Sequence, residues 1–242
     1  MAPMGSHLPS KADSAKRVAI MQPTFLPWIG YFALIHEVDT FVFLDSVQFA
    51  RRSWQQRNQI KTSSGAQWIT MPVASSGLRE QLIKDTLISA EGESAKKLIN
   101  SLSTNYGKAP HFNKYSDSLF AEFHAETSNL CVLNLSLIRL FMKLLSIEGK
   151  TLFRSSELPV SGAKANLLVS ICQHLRFTRY VSAPGSKEYI EESGAFGAAG
   201  IEVEYFAYEH PVYQQLYGNF LPYMSIVDLL FNEGERSLAI LQ

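Results

Sequence analysis

The 242-residue sequence predicts an α/β protein with a mostly parallel central sheet and a helical insertion in the middle of the chain. Three observations predict it. The chain opens on a strand, loop, helix, strand run in which "RVAIMQ" and "TFVFLDSV" are apolar on both faces, as central strands are. Such a βαβ unit pairs its strands in parallel. Residues 91–147 then carry helical spacing without interruption by a strand, and from residue 151 strands and helices alternate again.

Each element follows from its own pattern. Strands are expected at 18–22 and 41–45, adjacent and parallel. Between them Ile29, Phe32, Ala33, Ile35 and His36 recur at helical spacing, behind the proline-rich run "QPTFLPWIGYF". "SWQQRNQIKT" and "QWITMPV", joined at "SSGA", carry a hairpin signal, and "IKDTLIS" suggests a further short strand. Three helices are expected in "GESAKKLINSLSTNYG", "APHFNKYSDSLFAEFHAE" and "NLCVLNLSLIRLFMKLLSIEG", the last apolar nearly all round and therefore buried. Gly107 and Gly149 stand where helix C-caps belong. Later come a strand at "TLFRSSEL", a helix at "GAKANLLVSICQHLR" and a strand at "RYVSAPG". A helix at "SKEYIEESGAFGAAG", a strand at "IEVEYFAYEH" and a final helix at "MSIVDLLFNEG" complete the chain. The expected organisation is one domain over 17–242, with the insertion at about 91–149. Residues 1–16 are polar and small and lack an apolar h-region, so a disordered leader is expected there rather than a secretory signal.

Composition narrows the function classes. The 22 basic and 22 acidic residues cancel, which argues against a general electrostatic grip on nucleic acid or anionic lipid. Cys131 and Cys172 lie apart among apolar residues, the pattern of buried thiols in a reducing compartment, and a cytoplasmic location is expected. No apolar run reaches the ~20 residues of a membrane span. HExxH, metal-spaced Cys/His and GxSxG patterns are absent from the sequence, and no metal is expected.

In open parallel sheets ligands bind beyond the carboxyl ends of the strands, and three stretches fall there. The first supplies Gln22, Trp28, Gly30 and Tyr31: aromatic rings for stacking, a glycine for close approach and helix-start amides for an anion. The second, "DSVQFARRSWQQRNQIK", opens on Asp45 and interleaves Arg51, Arg52, Arg57 and Lys61 with Gln48, Trp54, Gln56 and Asn58. Arginine forks and amide side chains suit phosphates and sugar hydroxyls, although a solvated charged face is the ordinary reading of such a run. The third, "SAPGSKEYI", places Ser186 and Lys187 at a helix start after a Pro-Gly turn. His210 and Tyr213 in "YEHPVYQQ", and Ser225 with Asp228 at i, i+3 in "SIVDLLFNEG", add polar groups; Ser225 also fits an N-cap.

The run "VAIMQPTFLPWIGYFALIHEVDTFVFLDSVQFARRSWQQRNQIK" closely resembles the opening signature of the WbqC-like family. "ITMPV", "YGKAP", "GSKEYI", "GIEVEYFAYEHPVYQQ" and "LPYMSIVDLLFNEG" agree, so the likeness spans about 17–234. The resemblance implies a role in bacterial surface-polysaccharide (O-antigen) synthesis, as an enzyme that attaches an amino acid such as glycine to the amine of a nucleotide-linked amino sugar. On that reading Asp45 or His210 is the base that frees the amine, and Arg52, Arg57 and Lys187 hold phosphates. The acyl group would come from an amino acid activated with ATP or from an activated amino-acid donor, aminoacyl-tRNA included. More loosely, the opening loop is similar to the HxGH loop of HUP/nucleotidyltransferase-like α/β folds, with Trp28-Ile29-Gly30-Tyr31 at that place and only the glycine kept. Two alternatives stay open: a nucleotide-dependent ligase or nucleotidyltransferase forming an acyl-adenylate, and a non-catalytic binding module.

Overall fold

Strand β1 (Arg17–Met21), helix α1 (Ile29–Glu37) and strand β2 (Thr40–Phe43) form the expected βαβ unit, β1 pairing β2 in parallel with Ala19 opposite Phe41 and Met21 opposite Phe43. The computed structural model describes residues 16–74, 76–89, 91–125 and 127–242. Apart from Lys16, the stretch expected to be a leader lies outside them. β5 (Thr151–Arg154), β6 (Arg179–Ser182) and β7 (Glu202–Tyr205) complete a five-stranded, all-parallel sheet in the order β5-β2-β1-β6-β7. The strand order reverses between β1 and β6, which makes that point the topological switch of the sheet. Val18, Ala19, Phe41, Val42, Phe43 and Val181 are buried, as strands covered on both faces require.

The other elements are an antiparallel hairpin, β3 (Arg57–Thr62) and β4 (Gly65–Thr70), and helices α2 (Glu91–Tyr106), α3 (Phe112–His124), α4 (Leu130–Leu144), α5 (Lys164–His174), α6 (Lys187–Ser193), α7 (Ala195–Ala198), α8 (Ile226–Glu233) and α9 (Ser237–Leu241). Asn129 caps α4 by accepting from Val132 N, and Ser225 caps α8 by accepting from Val227 N.

The chain gathers into two compact units, each assembled from three stretches. The first holds the described residues through Gln22, Leu34–Asp45 and Gly149–Glu209, and with them the parallel sheet, α5, α6 and α7. The second holds Pro23–Ala33, Ser46–Glu148 and His210–Gln242, and with them the hairpin, α2, α3, α4, α8 and α9.

Several elements depart from the expectations. "IKDTLIS" forms a 3-10 turn at Ile83–Asp85 between isolated bridges, and Thr86 Oγ1 donates to the Leu82 carbonyl, a local bond that competes with a strand ladder. The helix over "SKEYIEESGAFGAAG" breaks into α6 and α7 at Gly194, whose φ of 60° is left-handed. β7 ends at Tyr205; Pro211 has no N–H for a ladder, and no helix or strand forms before α8. α4 stops at Leu144, capped at Leu145, so Gly149 is a turn glycine at φ 72° rather than its cap.

Candidate functional site

The hairpin of the second unit sorts its residues by strand alternation. Arg57 pairs with Thr70 and Gln59 with Trp68, so these four share one face. Asn58, Ile60 and Ile69 take the other face and are buried. On the outward face the Arg57 guanidinium lies over the Trp68 ring, 4.2 Å from its centroid. Trp68 also meets Trp54, with ring centroids 5.0 Å apart and planes at 44°. Both indoles stay exposed, Trp54 at 47% and Trp68 at 40%.

The loop that leads into β3 is braced from within. Gln55 Oε1 accepts from Ala50 N, Gln56 Oε1 accepts from Arg52 N, and Ser53 Oγ donates to the Ala50 carbonyl. Gln55 and Gln56 are themselves buried. Arg52 adopts φ 57°, a left-handed conformation that costs a non-glycine residue energy and that functional loops retain. Beside this loop lies a cavity of about 700 Å³ lined by Arg51, Arg52, Gln56, Arg57, Thr70, Pro72 and Val73. Three of these are arginines and none is acidic. Arg57 Nε is buried and lacks a hydrogen-bond partner among the described residues. Guanidinium groups gathered in one cavity, one of them with an orphaned N–H, have the chemistry that suits a phosphate-bearing or other anionic ligand.

Other residues expected at a site in this unit hold the fold. Asn58 Nδ2 donates to the Phe25 and Leu26 carbonyls, at 3.2 and 2.7 Å, and so ties the proline-rich run to the hairpin. Gly30 leaves room for Trp28: a Cβ there would sit 2.1 Å from the indole Cη2. Trp28 packs against His210 (centroids 6.2 Å, planes 16°) and Tyr223 (5.6 Å). Tyr31 is buried and meets Phe32 edge-on. Gln48 is exposed and donates to the Arg79 carbonyl. These contacts place half-buried Trp28 and His210 in an aromatic cluster with the exposed Tyr223.

His210 has both ring nitrogens engaged. Nε2 accepts from Tyr223 N at 3.0 Å, which leaves the proton on Nδ1 to donate to the Pro211 carbonyl at 2.9 Å. Burial holds its pKa below the ordinary 6.5. Asp228 is buried in α8 and accepts from Tyr106 OH (2.8 Å) and Tyr213 OH (3.0 Å). Tyr106 OH in turn accepts from Lys61 N at 2.9 Å, and Lys61 Nζ donates to the Asn219 carbonyl at 2.5 Å. Burial raises the Asp228 and Tyr106 pKa values and lowers that of Lys61. This polar network pins α2, α8 and the hairpin together.

In the first unit, Gln22, Asp45, Ser186 and Lys187 follow β1, β2 and β6 at the carboxyl edge of the sheet. Asp45 is wholly buried and accepts from Arg154 Nε (2.7 Å), Ser155 Oγ (3.1 Å), Ser156 N (2.9 Å) and Ser156 Oγ (2.8 Å). A general base needs an oxygen open to its substrate, and these partners make Asp45 an anchor for the turn after β5. Ser186 Oγ donates to the Ala183 carbonyl and lies 2.6 Å from Ser182 Oγ. Lys187 is exposed, 3.8 Å from Glu191 and 5.4 Å from the Tyr205 ring centroid.

Of the residues expected at a site, Arg52 and Arg57 meet at the cavity, and Trp28 and His210 meet in the aromatic cluster. Arg51, named in the basic run, also lines the cavity, and Thr70 in the lining and Trp68 against Arg57 were not singled out from sequence. The hairpin register was the signal for Trp68 and Thr70, because it sets both on the face that Arg57 occupies. Among the described residues, no three His, Cys, Asp or Glu side chains gather as metal ligands and no helix is long and apolar enough to cross a membrane.

Residues 22–240 match the profile of the WbqC-like protein family. The chain is 40% identical over 224 residues to an uncharacterized protein of Mycobacterium tuberculosis, a match that covers 92% of this chain and 96% of the relative. No solved structure matches it significantly.

Proposed function

Because the chain belongs to the WbqC-like protein family, we propose that it is a transferase of bacterial surface-polysaccharide synthesis, adding an amino acid such as glycine to the amine of a nucleotide-linked amino sugar. The observation that carries this reading is the three-arginine cavity with the orphaned Arg57 Nε, in a chain with no net charge. Arginine forks there would hold the sugar nucleotide's diphosphate and fix its amine for attack. In the transfer the amine nitrogen bonds to the acyl carbon, the acyl–oxygen bond of the activated donor breaks, and the amine proton leaves with the departing oxygen. Asp45 and His210 are committed to internal hydrogen bonds, so neither is assigned the base.

That commitment favours a second reading, a binding module that presents the sugar nucleotide to another enzyme. Both readings are tested by incubating the purified chain with a UDP-linked amino sugar and either glycine plus ATP or glycyl-tRNA, and following product mass. Gain of one glycyl unit from glycyl-tRNA supports the transferase with a preactivated donor. The same gain with release of AMP points to an acyl-adenylate. Binding of the sugar nucleotide without any mass gain supports the module, and absence of binding overturns both.

A further inference from the structure

We infer that the outward face of the β3–β4 hairpin is a nucleoside-diphosphate site in which Arg51, Arg52 and Arg57 take the phosphates and Trp54, backed by Trp68, takes the base. The inference rests on reading the arginine cavity as a phosphate site; it does not require the transfer reaction.

Four observations carry it. The cavity, about 700 Å³, falls within the usual range for small-molecule sites. Trp68 touches both the Arg57 guanidinium and Trp54. The Trp54 ring is therefore no farther from that guanidinium than those two contacts laid end to end, a span that a nucleoside bridges between its base and its phosphates. Two neighbouring indoles at 47% and 40% exposure offer stacking surface that the core does not use. Finally, the loop carrying Arg51, Arg52 and Trp54 is held by the buried Gln55 and Gln56 amides, so the site is shaped before the ligand arrives.

Charge decides the ligand class. A polynucleotide is held through many phosphates by an extended basic surface. This chain has no net charge, and only three arginines line the cavity. That number suits one diphosphate. The base then adds a stacking contact that tolerates any nucleobase, because every base has a π-face.

Titration calorimetry of the full chain with UDP, inorganic pyrophosphate and a single-stranded RNA tests it, on the wild type, Trp54→Ala, Arg52→Gly and Arg57→Ala. Trp54 is exposed and glycine suits the left-handed φ of Arg52, so those two variants keep the fold even if Arg57→Ala does not. Loss of stacking in Trp54→Ala should weaken UDP about tenfold and leave pyrophosphate within about twofold. Arg52→Gly and Arg57→Ala should each weaken both ligands about tenfold, the loss of one charge-assisted contact. Unchanged UDP affinity in Trp54→Ala, or an equal loss of UDP and pyrophosphate there, overturns the base assignment. Tighter binding of the RNA than of UDP overturns the ligand class. A chain that binds UDP in this pattern yet transfers no amino acid sinks the transferase alone, whereas transfer that survives in all three variants with unchanged UDP affinity sinks this site alone.

Discussion

An ionised carboxylate has about four places to accept a hydrogen bond, and Asp45 fills them with Arg154, Ser155 and the backbone and hydroxyl of Ser156. An asparagine there would turn an NH2 toward donors. Asp45→Asn should therefore lower stability by about 1–3 kcal/mol, read by urea denaturation, because a buried polar group is left unmatched. Gly30→Ala makes a steric case. Its Cβ would fall 2.1 to 2.5 Å from Trp28 ring atoms, so the indole must move off His210. Overpacking of this kind costs about 1–3 kcal/mol, visible as a lower melting temperature with a shifted tryptophan emission. At this scale the sequence marks residue types but hides their partners. Arg57 and Asn58 are adjacent and looked alike as ligand contacts, yet alternation along β3 turns one to the cavity and the other to the Phe25 and Leu26 carbonyls.

Among elements, the stretch between β7 and α8 depends on one imidazole. His210 accepts from Tyr223 N through Nε2, and protonation removes that acceptor. Its folded pKa is depressed below the ordinary 6.5 by burial. The contribution is thus fully present above that value and is lost as pH falls through the folded pKa. Melting temperature should drop on acidification below about pH 6.5 more steeply in the wild type than in His210→Asn; parallel curves for the two would exclude the role. Long periodic segments such as α2, α3 and α4 were legible because many turns repeat the pattern. α9 was not, since the five residues Ser237–Leu241 hold little more than one turn. Nor was the break at Gly194, which followed glycine's freedom to turn left-handed rather than any change of periodicity.

For the molecule as a whole, the parallel sheet was readable from strands that are apolar on both faces. The division into two units was not, because each unit joins stretches far apart in the chain and local pattern carries no trace of that pairing. A polypeptide ending at Glu148 would contain β1 and β2 but lack β5, β6 and β7. It should show no cooperative thermal transition by circular dichroism, whereas a sharp transition would mean that the second unit folds without its last stretch. The same interleaving sets a timetable on the ribosome. β1 lies between β2 and β6, and translation at roughly 5–20 residues per second brings out Arg179 on the order of ten seconds after Met21. Throughout that wait one edge of the central strand stands open, a long invitation to chaperones and to other nascent chains.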